Sequence, residues 1–314
     1  MEILYDRMLT EDVVFLEIKR REVIGRDDVV RKYYEEHKEV YEKQEEFREK
    51  FFERLHKKFF LKFGFDKPLL NILSEFKEFK ERIRTIIAFK ALTSSQEEAS
   101  LNSDSDKIGL RLHPEHFFNH KHFEAFLRHE LKHISDMLDE GFGYKRRNKL
   151  GNLSPAQENV IRSRYKMIWD IFIDGRISRE GEETVVAREE RFREFEELYR
   201  TIPRPRLFTI FESVWNAEKI THNEILEMAK DAKVMTRRYS RGDEKELKEE
   251  EVMLPGALCP LCRFPTFNWT KNLHEEEESV LVAIKADYPW WDLRQGLCER
   301  CLEVYKLRGE WLRV

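Results

Sequence analysis

His129-Glu130-Leu131-Lys132-His133 stands inside a run, from about His120 to Leu138, in which Phe123, Leu127, Leu131, Ile134 and Leu138 recur at helical spacing. The spacing predicts an amphipathic helix that buries this stripe, with Gly141 and Gly143 as its stop. Histidines four apart on such a helix lie about 40° apart around the axis and one turn along it. Both imidazoles of His129 and His133 can therefore reach one metal ion. Glu130 sits too far round the helix to share their face fully, but close enough to lean over a water beside the ion and take its proton. This is the logic of the His-Glu-x-x-His pattern, and peptide hydrolysis is its natural outcome. Lys132 puts a charge between the two ligands, where a long stem can swing the ammonium into water.

Upstream, Lys107-Ile108-Gly109-Leu110-Arg111-Leu112 alternates and is stopped by Pro114, which predicts a short strand at a sheet edge. His113, His116, His120 and His122 match no single-face ligand set with His129, so exposed loop and helix-start roles are expected for them. Downstream, Ser154-Pro155-Ala156-Gln157 reads as an N-cap, a first-position proline and a capping box. The helix opened there should run to about Ile177 and carry Asp170 and Asp174 one turn apart on one face. A catalytic zinc site takes three protein ligands and keeps one open position. One of these acids is the expected third ligand, and the other would accept a hydrogen bond from a ligand histidine. Asp170 is the narrow preference. Asp174, beside Gly175 and Arg176, has the alternative of capping or salt-bridging a helix end. Asp136 is the weaker candidate, because a ligand must come back over the ion from another element.

The motif at 129–133, followed by a helix bearing an acid, a second acid four residues on and then Arg176-Ile177, resembles the zincin metallopeptidases. The likeness is to the gluzincin-like and minigluzincin-like group, over about residues 105 to 180. It implies a small α+β catalytic domain, zinc-dependent peptidase activity, His129 and His133 as ligands and Glu130 as general base. Gluzincins typically offer Glu as third ligand; here the first acid is Asp170, shorter by one methylene. Tyr144 and His222 are the candidates for stabilising a transition state.

Cys259-Pro260-Leu261-Cys262 and Cys298-Glu299-Arg300-Cys301 are two tight knuckles, each able to give two thiolates to one tetrahedral zinc. All four cysteines are used in these pairs, so metal ligation is expected rather than a disulfide framework or a redox pair. Ser279 to Ile284 predicts a β-strand, and Phe264, Phe267 and Trp269 a small core that the metal completes. The unit resembles a zinc ribbon. Such units present their knuckles to nucleic acid or protein, and Arg263, Lys271 and Trp290-Trp291 suit either.

The remaining chain is predicted mostly helical. Apolar positions from Asp27 to about Phe60 give one long helix; residues 64–68 interrupt it, and Leu69 to about Leu92 resumes it, forming a hairpin read as scaffold. Further helices are expected at Glu183 to Tyr199 and, behind a Thr221/Glu224 capping box, at His222 to about Arg237, before a solvated charge run from Asp243 to Glu251. The expected organisation is α+β and predominantly helical. It comprises a helical region at 1–100, a zincin-like domain at 101–240, a charged linker at 241–255 and a zinc ribbon at 256–314. The 57 basic and 61 acidic residues give −4, which argues against a polyanion-coating surface. The opening residues lack a signal-peptide pattern, and no stretch approaches the roughly 20 apolar residues that span a bilayer. The expectation is a cytoplasmic protein holding two zinc ions, one catalytic and one structural, and acting on a protein or peptide. The alternative is a non-catalytic adaptor whose ribbon contacts protein or nucleic acid.

Overall fold

The computed structural model describes residues 1–25, 28–146, 155–199, 202–239, 256, 258–270 and 273–311. The fold is α+β and predominantly helical, with 13 helices and one four-stranded sheet among the described residues. No described helix is long and apolar enough to cross a membrane. The chain divides into two compact units, Met1–Tyr144 with Glu180–Val185, and Lys145–Arg179 with Val186–Val314.

In the first unit, strand β1 (Glu2–Tyr5) leads into α1 (Arg7–Ile24), which Asp6 caps by accepting from the Leu9 amide. The long helix expected next is two helices, α2 (Asp28–Tyr41) and α3 (Glu45–Lys62). Gln44 is extended, and Arg48 donates to the carbonyls of Tyr41 and Lys43 at 2.9 and 3.0 Å, satisfying groups at the end of α2. The apolar stripe is continuous through both, because the two helices pack on each other: Tyr33 meets Phe59 edge-on, and Phe52 meets both His37 and Tyr41. Periodicity alone does not separate one long helix from two that fold back.

His56 is buried in this layer, 3.3 Å from the Tyr33 hydroxyl. Burial pushes its pKa below the ordinary 6.5; Glu11 opposes the shift, while His37 and Arg7 add to it. The folded state therefore binds fewer protons than the unfolded one. The stability this confers is present above about pH 6.5 and is lost as pH falls toward the depressed folded value. Thermal melts between pH 8 and 5 should show a falling midpoint, and His56→Gln should flatten that fall; an unchanged slope would refute the assignment.

The helix expected from Leu69 to Leu92 is also divided. Short helices α4 (Lys67–Leu73) and α5 (Phe79–Arg82) end at an extended Ile83, and Thr85–Lys90 forms strand β2. Ile86 and Ala88 are fully buried while Phe89 is exposed, a two-residue period imposed by neighbours on both sides. With β3 (Glu98–Leu101) and β4 (Lys107–Leu112) the sheet order is β1-β2-β4-β3. The first two pairings are parallel and the last antiparallel, with Ile86 opposite Ile108 and Ala99 opposite Leu110. Strand β4 thus lies inside the sheet rather than at the expected edge, and β3 is an edge. Helix α6 (His120–Leu138) follows as predicted, with Asn119 at its N-cap. Phe123, Leu127, Leu131 and Ile134 are fully buried in the unit's core. That burial fixes the rotation of α6 and so the direction of the motif residues.

In the second unit, α7 (Pro155–Arg179) and α8 (Arg188–Leu198) are followed by α9 (Arg204–Trp215), which the sequence reading did not anticipate. Helix α8 starts later than expected. The capping box opens α10 (His222–Lys230), and an extended Asp231 separates it from α11 (Ala232–Tyr239). Ser154, the charge run at 243–251 and the linker at 241–255 lie outside the described residues. Gly175 is inside α7, not at its end, and the Trp215 carbonyl closes on it: a Cβ there would lie 1.9 Å from that oxygen. Arg179 also donates to the Trp215 carbonyl and, at 2.8 Å, to that of Ala217. Gly175→Ala should therefore force the α7–α9 contact apart at a cost of about 1–3 kcal/mol, read as a lowered melting temperature; a wild-type melt would contradict this packing.

The chain ends in α12 (Glu278–Asp287) and α13 (Glu299–Trp311). The strand expected at 279–284 is helical. Val280 and Ile284 are buried and Val282 is 59% exposed, a spacing of four that a strand would not produce. The only bridges outside the sheet among the described residues are Leu258–Pro265 and Trp269–Cys298, beside the cysteines.

Candidate metal centres

On α6, His129 and His133 are 4% and 8% exposed, and their Nε2 atoms are 3.2 Å apart. Two nitrogens bound to one tetrahedral zinc at about 2.0–2.1 Å would be separated by about 3.3 Å, so the pair fits a shared ion. Ligand-capable atoms of His129, Glu130 and His133 all lie within 4.8 Å of one another. Glu130 Oε2 accepts from the Ala99 amide of β3 at 2.7 Å. The Asn102 amide bonds to Lys107 across the β3–β4 ladder. Alternation along the strand then turns the Ala99 N–H away from β4, onto the open edge. The edge strand thus orients the carboxylate, a contact that spacing within the motif could not reveal. Lys132 reaches Glu180 at 2.7 Å rather than open water.

His116 Nδ1 is 2.9 Å from Glu97 Oε1, and the His116 ring lies 4.9 Å from that of His122. Among the described residues neither belongs to a cluster able to hold a metal. Asp136 is buried on α6 itself.

Asp170 and Asp174 lie in the second unit, on one face of α7 as expected, at 4% and 0% exposure. Asp170 accepts from Lys166 at 2.7 Å, and Asp174 from Arg191 Nε at 2.8 Å, with Arg191 Nη1 3.8 Å from Asp170. Burial disfavours the charged Arg191, but the two carboxylates more than offset it and raise its pKa. Arg191 was missed; the only sequence signal for it is that two buried acids require a cation. His222 is buried in the first turn of α10, its Nδ1 2.6 Å from the Tyr165 hydroxyl, and burial, helped by Lys145, pushes its pKa down. Tyr144 closes the first stretch of the other unit.

The second centre brings all four cysteines together. Cys259 and Cys301 sulfurs are 3.9 Å apart, and Cys262 and Cys298 sulfurs 3.8 Å. Disulfide sulfurs are about 2.05 Å apart, whereas a tetrahedral zinc with Zn–S of about 2.3 Å has edges of about 3.8 Å. The four thiols therefore fit one ion. Burial pushes the Cys259 thiol up, but backbone amides of Cys262, Cys298 and Leu261 more than offset this and hold it below the ordinary value. Burial holds the Cys298 and Cys301 thiols high. Beneath lie Leu261, Ile284, Trp291, Leu297 and Leu302. Of the aromatics expected to cover this core only Trp269 is buried; Phe264 and Phe267 are 67% and 48% exposed. Compared with known proteins, the chain matches no family model, no curated protein and no solved structure.

Proposed function

We propose that this chain is a zinc-dependent metallopeptidase of zincin type. The 3.2 Å separation of the His129 and His133 Nε2 atoms, with Glu130 beside them, carries the reading. His129 and His133 would hold the ion. A zinc ion held there supplies Lewis acidity, lowering the pKa of water toward neutrality and polarising a carbonyl. Glu130 takes the proton from the attacking water and returns it to the leaving amine. The Ala99 amide keeps the Glu130 carboxylate at its post between these transfers.

A second reading is a non-catalytic adaptor contacting protein or nucleic acid through the cysteine centre. It is favoured by a cavity of about 350 Å³ that Phe264, Tyr288, Val304 and Arg300 help to line, beside the exposed Trp290 and Leu307. Metal analysis and a peptide panel separate the two. The peptidase reading expects two zincs per chain and chelator-sensitive cleavage. One zinc per chain, lost on replacing Cys259 and Cys298, would end the claim on α6; two zincs with no cleavage of any peptide would favour the adaptor.

A further inference from the structure

Helix α6 carries three cations, Lys121, Arg128 and Lys132, at spacings of seven and four residues that put them on one side. Each of two of them directly precedes a motif histidine, Arg128 before His129 and Lys132, inside the motif, before His133. The segment Glu180–Val185, which belongs to the same unit, runs past them in reverse order. Glu180 Oε1 accepts from Lys132 Nζ at 2.7 Å, Glu182 Oε2 is 3.2 Å from Arg128 Nη2, and Glu183 Oε1 is 3.7 Å from Lys121 Nζ. Gly181 takes φ +82°, a left-handed turn between the first two acids, and Val185 packs against the unit's core. Arg128 is also gripped by both Glu75 oxygens at 2.8 Å.

The three pairs are not equivalent. Lys121 and Glu183 are 83% and 67% exposed, so water screens them and they contribute little. The Arg128 and Lys132 side chains are 7% and 15% exposed, where an uncompensated charge acts over distance. A dication between the two imidazoles is repelled by every nearby fixed cation. We propose that Glu180 and Glu182 are positioning residues for the metal, holding the Lys132 ammonium and the Arg128 guanidinium in ion pairs of 2.7 and 3.2 Å and offsetting their charge. A motif with a cation directly before each histidine can then still take a divalent ion. This rests on the reading that His129 and His133 bind zinc.

The test is zinc affinity of the full chain, by competition with a chromophoric chelator, the motif site being the one that His129→Ala removes. Glu180→Gln should weaken that site about tenfold, the scale on which outer partners tune a metal site. Glu182→Gln should weaken it less, because Glu75 still compensates Arg128. Lys132→Gln should bind at least as tightly as wild type, and adding Glu180→Gln to it should change nothing further. Wild-type affinity in Glu180→Gln would overturn the proposal, as would a loss that persists in the Lys132→Gln background, which would mark a merely structural contact. Absence of any His129-dependent zinc in the wild type is a separate result, removing the metal site itself and this proposal with it.

Discussion

Glu130→Gln is expected to lower peptide hydrolysis by about 10²–10⁴-fold, the span that a positioned general base contributes, while zinc content and melting temperature stay at wild-type values. The substitution is close to isosteric. The glutamine carbonyl can still accept from the Ala99 amide, so the 2.7 Å contact to β3 persists and the edge strand has no reason to move. What disappears is the ability to take a proton from water. His129→Ala is the contrasting variant: it removes a ligand that is 4% exposed, so both zinc at α6 and activity should vanish together. Full activity in Glu130→Gln would exclude the residue as base. An equal loss of zinc in both variants would make Glu130 a ligand instead.

Cys259→Ser should unfold the cysteine centre and the helices around it while sparing α6. Cys259 is fully buried and its sulfur lies 3.9 Å from Cys301. A structural zinc contributes on the order of 10 kcal/mol of apparent binding energy, which in a small metal-centred unit is folding energy. The apolar core here is modest, about Trp291, Ile284, Leu297 and Leu302, too small to hold α12 and α13 without the ion. The expected readout is loss of one zinc per chain, loss of the near-ultraviolet signal of the buried Trp269 and Trp291, and new proteolytic cuts between residues 258 and 311. Retention of the second zinc identifies it with His129 and His133. Unchanged zinc content after the substitution would exclude Cys259 as a ligand.

The two centres differ in how fully the sequence disclosed them. Both knuckles and the paired histidines were legible because each metal-ligand pattern is written within four or five residues. The partners that orient them were not. Glu130 is held by an amide 31 residues away, Lys132 by an acid 48 residues away, and Asp174 by Arg191 from another helix. No local spacing encodes such pairs.

The same division runs through the fold. Local signals sufficed for α6 near its observed bounds, although it stops at an extended Asp139 ahead of the expected glycines, and for the position of β4 and the Thr221/Glu224 cap, because buried stripe, alternation and capping are settled within one or two turns of chain. Distant packing set the rest: residues 42–44 turn the chain, Thr85–Lys90 pairs on both sides as a strand, Glu278–Asp287 coils as a helix, and Gly175 lies under the Trp215 carbonyl. Short apolar runs satisfy helix and strand alike, and the choice falls to whichever distant surface buries them.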